Sequence, residues 1–329
     1  MTVRWGFLGA GWIATRALSP AVASADGAML QAVAARDESR ARALGPVGRA
    51  YGNYDALLKD DDVDAVYISL TNEVHAAWSI AALRAGKHVL CEKPLAMTAA
   101  EVDAMTAAAA ETGRLLVEAS WYRWHPRVRM AQQLLAEGRI GTVRSASAGF
   151  TFAGQLAGNY RLEVERGGGA LYDVGCYAVS AALWAFGNAP VREVAAKQEL
   201  GPTGIDLVTE AILTFDDGEA QVRAGISEPP QQWLVVRGDG GEIELRDRSY
   251  TSWRDDPTLL LVSDAASTER ITVPATDAYR VMVEEVSAVI EGRDGWVLPV
   301  AESRATAAVL DAAFDSARTG SVVRVADPN

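Results

Sequence analysis

The sequence predicts an α/β protein in which a doubly wound parallel sheet is followed by a second α/β domain with a large, mainly antiparallel open sheet. Apolar runs alternate with helical patterns up to about residue 120. Beyond that point, short alternating runs with turn signals between them dominate the chain. A length of 329 residues suits about two domains, which we expect at residues 1–121 and 122–329.

The first part of the chain contains the βαβ pattern. Its strand candidates are residues 5–8, 29–35, 64–70, 88–91 and 115–117, and its helix candidates are residues 12–24, 37–44, 73–85 and the alanine-rich stretch after residue 98. The run Asp64–Leu70 is almost continuously apolar, as in a strand that is buried on both faces. Strands that alternate with helices indicate a parallel sheet.

The second part of the chain is rich in short strands. Its strand candidates are residues 142–152, 191–199, 208–215, 221–226, 233–237 and 242–245, and its helix candidates are residues 126–137, the segment from the glycine run at 167–169 to 186, 277–291 and 300–318. Turn signals such as Asp216-Asp217-Gly218 separate the strands. This pattern predicts a largely antiparallel sheet.

Charge and composition exclude several classes of function. There are 43 acidic and 31 basic side chains, so the net charge of −12 argues against nucleic-acid and membrane-surface partners. The two cysteines and three histidines match no metal-ligand spacing, so we expect no metal. The N-terminus lacks a signal-peptide pattern and no apolar run is long enough to span a membrane. We therefore expect a cytoplasmic protein with free thiols.

A glycine turn lies between the first strand and the first helix. The segment Gly9-Ala10-Gly11-Trp12-Ile13-Ala14 has the pattern G-x-G-x-x-A. Gly9 permits a tight turn, Gly11 lets backbone N–H groups approach a pyrophosphate, and Ala14 allows close packing of helix and strand. In its βαβ context the motif predicts a Rossmann domain that binds a dinucleotide. The alternative is a plain strand-to-helix turn.

The tip of the second strand indicates which dinucleotide is bound. An NAD enzyme usually has an acidic residue there, whereas this strand ends in Ala34-Ala35-Arg36. Arg36 can meet a 2′-phosphate, and Arg40 adds positive charge or simply faces solvent. We expect Asp37 to be a helix N-cap. The sequence thus favours NADP over NAD.

Two other strands end close to the expected cofactor site. Ligands of doubly wound sheets bind at the carboxyl ends of the strands. Leu70, Thr71 and Asn72 end one strand, and the segment Cys91-Glu92-Lys93-Pro94 ends the next, so we expect both segments beside the cofactor. Pro94 restricts Lys93 and is a candidate for a cis peptide bond. The alternative for Lys93 is a surface lysine before a turn.

Asp173 and Tyr177 are the candidates for acid/base chemistry. They are four residues apart and follow the glycine run, so they share one face of the helix that begins there. A phenol can move the substrate proton while the nicotinamide moves the hydride. Because a free phenol has a pKa of about 10, a nearby ammonium such as that of Lys93 is needed. The alternatives are a helix-dipole carboxylate for Asp173 and a core aromatic for Tyr177.

Taken together, these motifs resemble those of the family of glucose-fructose oxidoreductase and inositol dehydrogenase. The resemblance covers essentially the whole chain. The matching segments are residues 9–14, 91–95, 122–126 and the stretch from Gly167 through Asp173 to Tyr177. It implies a Rossmann domain and an α/β domain whose open sheet often makes a dimer. We therefore expect a homodimer or a higher homo-oligomer that forms through the C-terminal sheet.

The same resemblance implies roles for individual residues. Many members place Lys, Asp and His around the substrate, and this sequence has Tyr177 in place of the His. That departure resembles the branch of dimeric dihydrodiol dehydrogenase, NADP-dependent D-xylose dehydrogenase and some sugar ketoreductases, in which Tyr is the general acid/base. Carried over, Lys93 and Tyr177 are catalytic and Asp173 orients or binds the substrate.

Further residues are expected around the site. Arg123 either approaches the nicotinamide half of the dinucleotide or ties the domains together, and His125 is expected to be structural. Asn159 and Arg161 are candidate donors to sugar hydroxyls or parts of a self-bonded loop. The full set of cofactor-binding candidates is Gly9, Gly11, Trp12, Ile13, Arg36, Arg40, Leu70, Thr71, Asn72, His75, Glu92, Lys93 and Arg123. Of these, His75 also fits a packing or capping role, and Trp12 also fits simple packing.

These observations predict an NADP-dependent oxidoreductase that acts on a pyranose sugar or a related polyol. A sugar nucleotide is an alternative substrate, since Arg161, Arg166 and Arg123 could contact a diphosphate, and a trans-dihydrodiol is a third. A hypothesis of another class is a non-catalytic NADP-binding sensor on the same fold. The joint presence of Lys93, Asp173 and Tyr177 argues against the sensor.

Overall fold

A computed structural model describes residues 2–154, 158–246, 248–251, 254 and 256–325. The chain forms two compact units. The first unit contains residues 1–96, 100–124 and 277–300, and the second contains residues 97–99, 125–276 and 301–329. Within the part of the chain that the structure describes, no helix combines the length and apolar character needed to cross a membrane.

The secondary structure follows the expected alternation. The strands are β1 (Val3–Leu8), β2 (Ala28–Ala34), β3 (Arg49–Tyr51), β4 (Ala65–Ile68), β5 (His88–Cys91), β6 (Leu116–Glu118), β7 (Val143–Ala153), β8 (Glu193–Leu200), β9 (Asp206–Thr214), β10 (Glu219–Gly225), β11 (Ser227–Gly238), β12 (Gly241–Leu245), β13 (Thr258–Ser263), β14 (Thr268–Val273) and β15 (Val323–Arg324). The helices are α1 (Ser19–Ser24), α2 (Glu38–Ala43), α3 (Tyr54–Leu58), α4 (His75–Arg84), α5 (Ala99–Thr112), α6 (Pro126–Ala136), α7 (Cys176–Ala185), α8 (Ala278–Ile290) and α9 (Val300–Thr319). The π-helical turns Ala14–Leu18 and Leu171–Gly175 lead into α1 and α7.

The first unit has the expected doubly wound sheet. Its six strands run in the order β3-β2-β1-β4-β5-β6, and every pair is parallel. All four residues of β4 are buried, which explains the continuous apolar run of that segment. The strand order reverses between β1 and β4. The carboxyl ends of these two strands therefore form the crevice in which doubly wound sheets bind their ligands.

Helix α8 completes the core of the first unit, although it comes late in the sequence. Its Ser287 hydroxyl accepts a hydrogen bond of 3.2 Å from the indole Nε1 of Trp5 on β1, and both side chains are buried. The ring of Tyr279 on the same helix stacks on Trp121 at a centroid distance of 4.5 Å. These contacts join residues that are more than 150 positions apart in the chain.

The second unit is built on a nine-stranded sheet. The strand order is β14-β13-β12-β11-β7-β10-β9-β8-β15. The β7–β10 pair is parallel and every other pair is antiparallel, which confirms the mainly antiparallel prediction. Helix α7 is buried along its whole length and contacts β7 and β10. The sheet thus fixes the helix that carries Tyr177.

Candidate functional site

The glycine turn after β1 has the geometry of a dinucleotide cradle. Gly9 has a φ of +105°, and a Cβ at this position would lie only 2.6 Å from the carbonyl oxygen of Ser69, so glycine is required. A Cβ at Gly11 would meet open space. The backbone beside Gly11 is therefore accessible to a pyrophosphate, and the residues of this turn fit a dinucleotide. Trp12, which follows, is 69% exposed, and Ile13 is partly exposed.

Arg36 and Arg40 lie just beyond the end of β2, in the loop and in helix α2. The guanidinium of Arg40 donates a 2.7 Å hydrogen bond to the carbonyl oxygen of Ala10, which anchors it to the glycine turn. Arg36 is exposed, and both arginines act electrostatically on the hydroxyl of Tyr54. Asp37 caps helix α2, as expected, because its carboxylate accepts bonds from the amide and the hydroxyl of Ser39. These bonds lower the pKa of Asp37.

His75 joins the segment after β4 to the segment after β5. Its Nδ1 lies 2.9 Å from the carbonyl oxygen of Pro94, and its Nε2 lies 3.2 Å from that of Leu70. The ring is completely buried, and this burial lowers its pKa. The hydroxyl of Thr71 donates to Glu73 at 2.8 Å, and Asn72 is buried. The two segments that carry expected cofactor-binding residues are therefore linked through the His75 ring.

Lys93 belongs to a segment whose backbone is bound by two buried carboxylates. The Lys93–Pro94 peptide bond is cis. Glu92 accepts a 2.6 Å hydrogen bond from the hydroxyl of Tyr67, and its second oxygen faces the amide of Lys93 at 3.4 Å. Burial raises the pKa of Glu92. Glu118 at the end of β6 accepts the amide N–H of Leu95 at 3.2 Å. The carboxylate of Glu92 thus orients the backbone of Lys93.

Arg123 and His125 are both buried. The guanidinium carbon of Arg123 lies 5.8 Å from the ring centroid of Trp296 in the same unit. His125 caps helix α6, because its Nδ1 accepts the amide N–H of Arg127 at 3.1 Å. Burial lowers the pKa of His125 to about 4, so its ring is neutral near pH 7. This geometry agrees with the structural interpretation of His125.

In the second unit, Asp173 and Arg161 form a short ion pair. The Nε of Arg161 donates to Oδ2 of Asp173 at 2.6 Å, and the Asp173 side chain is only 7% exposed. Burial alone would lower the pKa of Arg161, but the Asp173 carboxylate outweighs it and raises that pKa. Asn159 accepts the Arg161 amide N–H at 3.1 Å. The Arg161 guanidinium carbon lies 5.1 Å from the Tyr160 ring centroid.

Tyr177 lies one helical turn after Asp173 and is almost completely buried. Its ring centroid is 5.7 Å from that of Phe150 on β7 and 6.0 Å from that of Tyr250. The hydroxyl of Tyr250 is bound to the carbonyl oxygen of Trp233 at 2.9 Å. Two neighbouring rings thus fix the orientation of the Tyr177 side chain, and Arg161 acts electrostatically on its hydroxyl.

The structure groups the expected residues by unit. The first unit contains the expected cofactor-binding residues, among them the glycine turn, Arg40, Leu70, His75, Glu92 and Lys93. The second unit contains the expected substrate-binding residues Asn159, Arg161, Asp173 and Tyr177. Sequence reasoning missed the partners Tyr67, Glu118, Phe150 and Tyr250. Each belongs to an apolar strand or a distant loop, where no local pattern distinguishes it from an ordinary core residue.

Comparison with known protein families assigns both parts of the chain. The family model described as "Oxidoreductase family, NAD-binding Rossmann fold" matches residues 3–120. The model described as "GFO/IDH/MocA C-terminal domain" matches residues 128–244. Together the two matches span more than half of the 329 residues.

Individual relatives are similar over most of their length. The chain is 35% identical over 329 residues to D-xylose 1-dehydrogenase (NADP(+)) 2 of Haloferax volcanii, with 98% of this chain and 99% of that protein covered. It is 34% identical over 270 residues to trans-1,2-dihydrobenzene-1,2-diol dehydrogenase of Bos taurus, with 80% and 78% covered. A crystal structure of a 3-ketoreductase from Actinomadura kijaniata in complex with NADP and TDP-benzene superposes with a TM-score of 0.88 at 30% identity, covering 96% and 98%.

Proposed function

This chain belongs to the GFO/IDH/MocA oxidoreductase family, and from that premise we propose that it is an NADP-dependent oxidoreductase. NADP bound in the glycine turn would supply the hydride donor or acceptor for a carbon of a pyranose sugar or related polyol. The observation that carries the proposal is the arrangement of Asp173 and Tyr177 one helical turn apart, with Arg161 bound to Asp173. A carboxylate and a phenol at this spacing can hold a substrate hydroxyl and exchange its proton.

The choice of NADP rests on Arg36 and Arg40. The second strand ends without a carboxylate for a ribose 2′-hydroxyl, and Asp37 is engaged in capping α2. Arg40 is tied to the glycine turn through Ala10, and Arg36 is exposed nearby, so both offer charge-assisted hydrogen bonds to a 2′-phosphate. The similar D-xylose dehydrogenase is named for NADP⁺, and the similar 3-ketoreductase was crystallised with NADP.

The proposed chemistry assigns one task to each residue. Tyr177 exchanges the proton of the reacting oxygen. Lys93 supplies the positive charge that lowers the pKa of this phenol, in keeping with the family resemblance. Asp173 binds a substrate hydroxyl, and Arg161 holds its carboxylate in place through the 2.6 Å contact between them. Two side chains orient the segment that contains the lysine. Glu92 acts through the amide of Lys93, and His75 acts through the carbonyl oxygen of Pro94.

A sugar nucleotide and a trans-dihydrodiol are the alternative substrates. The related 3-ketoreductase structure contains TDP-benzene, and the Bos taurus relative is a dihydrodiol dehydrogenase. Arg161 is engaged with Asp173 in this chain, so its guanidinium is less available for a diphosphate. We therefore favour a free pyranose. A non-catalytic NADP sensor is disfavoured because Lys93, Asp173 and Tyr177 occur together.

Self-association through the sheet of the second unit is part of the proposal. A row of four neighbouring residues crosses strands β9, β10, β7 and β11, and its members are Ile212, Gln221, Ser147 and Val235. Ile212 is 42% exposed. This mixed apolar and polar row suits a homodimer or a higher homo-oligomer in which the same face meets itself. Cys91 and Cys176 are free thiols, which agrees with a cytoplasmic location. The net charge of −12 disfavours nucleic acid and membrane surfaces as partners.

The direct test is a substrate panel. Free pyranoses, polyols, sugar nucleotides and trans-dihydrodiols are each incubated with NADP⁺ or NAD⁺, and absorbance of the reduced cofactor is followed. We expect turnover of a free pyranose or polyol, with NADP⁺ preferred. Turnover of sugar nucleotides or diols alone would replace the substrate assignment. NADP binding without turnover of any class would favour the sensor.

A further inference from the structure

The helix that carries Asp173 and Tyr177 begins without a cap of its own. The first amides of a helix have no acceptor within the helix, and a side chain just before it usually supplies one. Here the preceding residues are Gly167, Gly168 and Gly169, which have no side chains. Ala170 stands at the start and makes no side-chain cap bond. An acceptor must come from elsewhere in the fold.

Asp206, the first residue of β9, supplies that acceptor. Its Oδ2 accepts the amide N–H of Leu171 at 2.7 Å and the hydroxyl of Thr209 at 2.6 Å. The Asp206 side chain is almost completely buried, with the residue only 3% exposed. A hydrogen bond to a buried ionised carboxylate is stronger than one between neutral groups. The contact therefore fixes the first turn of the helix against the sheet.

Gly169 makes the approach of this carboxylate possible. Its φ is +105°, and a Cβ at this position would overlap Oδ1 of Asp206. The last glycine of the run is thus explained by Asp206 as well as by its backbone conformation. The same glycine donates its amide to the carbonyl oxygen of Arg161 at 2.9 Å, and its own carbonyl accepts the amide of Asp173 at 3.2 Å.

We propose that Asp206 is a positioning residue for the reaction, which holds the turn of residues 169–171 and through it the Asp173–Arg161 pair and Tyr177. This inference rests on the proposed function for its effect on turnover. Asp206 itself contacts no reacting atom. Its carboxylate fixes Leu171, and Gly169 connects that fixed turn to the backbones of both partners of the ion pair. A small displacement of catalytic groups can cost up to about 100-fold in rate, so such a clamp is functionally significant.

The test compares Asp206→Ala with Asp206→Asn, which keeps one carbonyl acceptor. The control is Asp277→Ala, because Asp277 caps α8 through the amides of Tyr279 and Arg280, and no proposed site residue lies on that helix. We expect Asp206→Ala to lower kcat by about 10- to 100-fold with NADP affinity within about twofold. Asp206→Asn should lose no more than half as much of log kcat as Asp206→Ala does. The control should leave kcat within about twofold.

Hydrogen exchange of the segment 170–177 provides a second readout that needs no substrate. Asp206→Ala should accelerate exchange of the Leu171 amide, and the control should not. If Asp206→Ala leaves both the exchange of the Leu171 amide and kcat unchanged, the inference is overturned. It is also overturned if Asp277→Ala lowers kcat as much as Asp206→Ala does. If wild-type protein turns over no substrate, the proposed function fails, whereas exchange still decides the role of Asp206.

A further variant covers the case in which Asp206→Ala does not fold. Thr209→Val removes the hydroxyl that binds the same carboxylate oxygen while it keeps the shape of the side chain. The inference then requires faster exchange at Leu171 in this variant. Exchange equal to that of the wild type would contradict it.

Discussion

Arg161 and Asp173 are joined by a 2.6 Å hydrogen bond between Nε and Oδ2, and Asp173 lies one helical turn before Tyr177. The pair places a guanidinium against a nearly buried carboxylate, one helical turn before the phenol that is proposed to move the proton. This relationship gives Arg161 a function different from direct binding of a substrate hydroxyl.

Loss of Arg161 should leave the buried Asp173 carboxylate without the guanidinium that pairs with it. We expect Arg161→Met to lower the free energy of unfolding by about 1–3 kcal/mol and kcat/KM by at least about tenfold. Arg166→Met is the matched control, because Arg166 pairs with Glu163 in the same loop and both side chains are more than 40% exposed. That variant should change stability by no more than about 0.5 kcal/mol. If Arg161→Met and Arg166→Met had equal effects in denaturant titrations and in kinetics, the role of Arg161 would be contradicted.

Arg36 should determine the preference for NADP. A lost set of charge-assisted hydrogen bonds is worth about 1.5–3 kcal/mol, so Arg36→Ala should weaken NADP binding by about 10- to 100-fold and affect NAD far less. Arg42→Ala is the control, because Arg42 is paired with Glu38 on the same helix. Calorimetric titration with both cofactors measures the difference. Equal weakening of NAD and NADP would remove Arg36 from this role.

Asp206 should make stability depend on pH. Burial raises its folded pKa to about 6, above the unfolded value of 3.8, so the folded chain retains a proton that the unfolded chain has already released. The favourable contribution is complete below about pH 4 and is lost as the pH rises to about 6 and beyond. Relative to Asp206→Asn, the unfolding free energy of the wild type should fall by about 1.4 kcal/mol between pH 5 and pH 7.5. A constant difference, or a rise, in denaturant titrations would contradict this assignment.

The exposed row of the second sheet should mediate self-association. We expect sedimentation of wild-type protein at micromolar concentration to give a dimer or larger species of the 35.0 kDa chain. Ile212→Glu should shift this equilibrium toward the monomer, because it buries a charge in the interface. Val47→Glu is the control, since Val47 is 72% exposed and lies in the first unit. Wild-type protein that sediments purely as a monomer would rule out the proposed assembly.

The sequence predicted those features that local patterns determine. The turn at Gly9 and Gly11, the parallel sheet of the first unit and the helical segment that carries Asp173 and Tyr177 all follow from local patterns in the sequence. The strand order then fixed the position of the crevice. Family membership agrees with the resemblance that the motifs indicated.

Long-range partners could not be predicted in this way. Asp206 is 35 residues from Leu171, and Ser287 is 282 residues from Trp5, so only the tertiary fold brings them together. Strand β14 was also missed, because most of its six residues are polar and exposed, as at the edge of a sheet. Its neighbour β13 was missed although its apolar run is typical of a strand.

The central claim is that Tyr177 moves the substrate proton and that Lys93 assists it. Tyr177→Phe removes only the hydroxyl, so the contacts of its ring with Phe150 and Tyr250 should persist. Because general acid–base catalysis contributes about 10²–10⁴-fold, kcat should fall by that factor while NADP affinity changes little. Lys93→Met should cost at least as much and move the pH optimum upward, because the proposal assigns to Lys93 the positive charge that lowers the pKa of the phenol.

Steady-state kinetics of Tyr177→Phe, with a thermal melt of the same preparation, is the most direct measurement. Tyr172→Phe is the matched control, because it removes a hydroxyl that binds the carbonyl oxygen of Met97 and lies one residue before Asp173. We expect a melting temperature near that of the wild type, a kcat reduced by about 10²–10⁴-fold for Tyr177→Phe, and nearly normal turnover for Tyr172→Phe. Turnover of Tyr177→Phe within about threefold of the wild type is too fast for an enzyme that has lost its general acid, and this result would contradict the account.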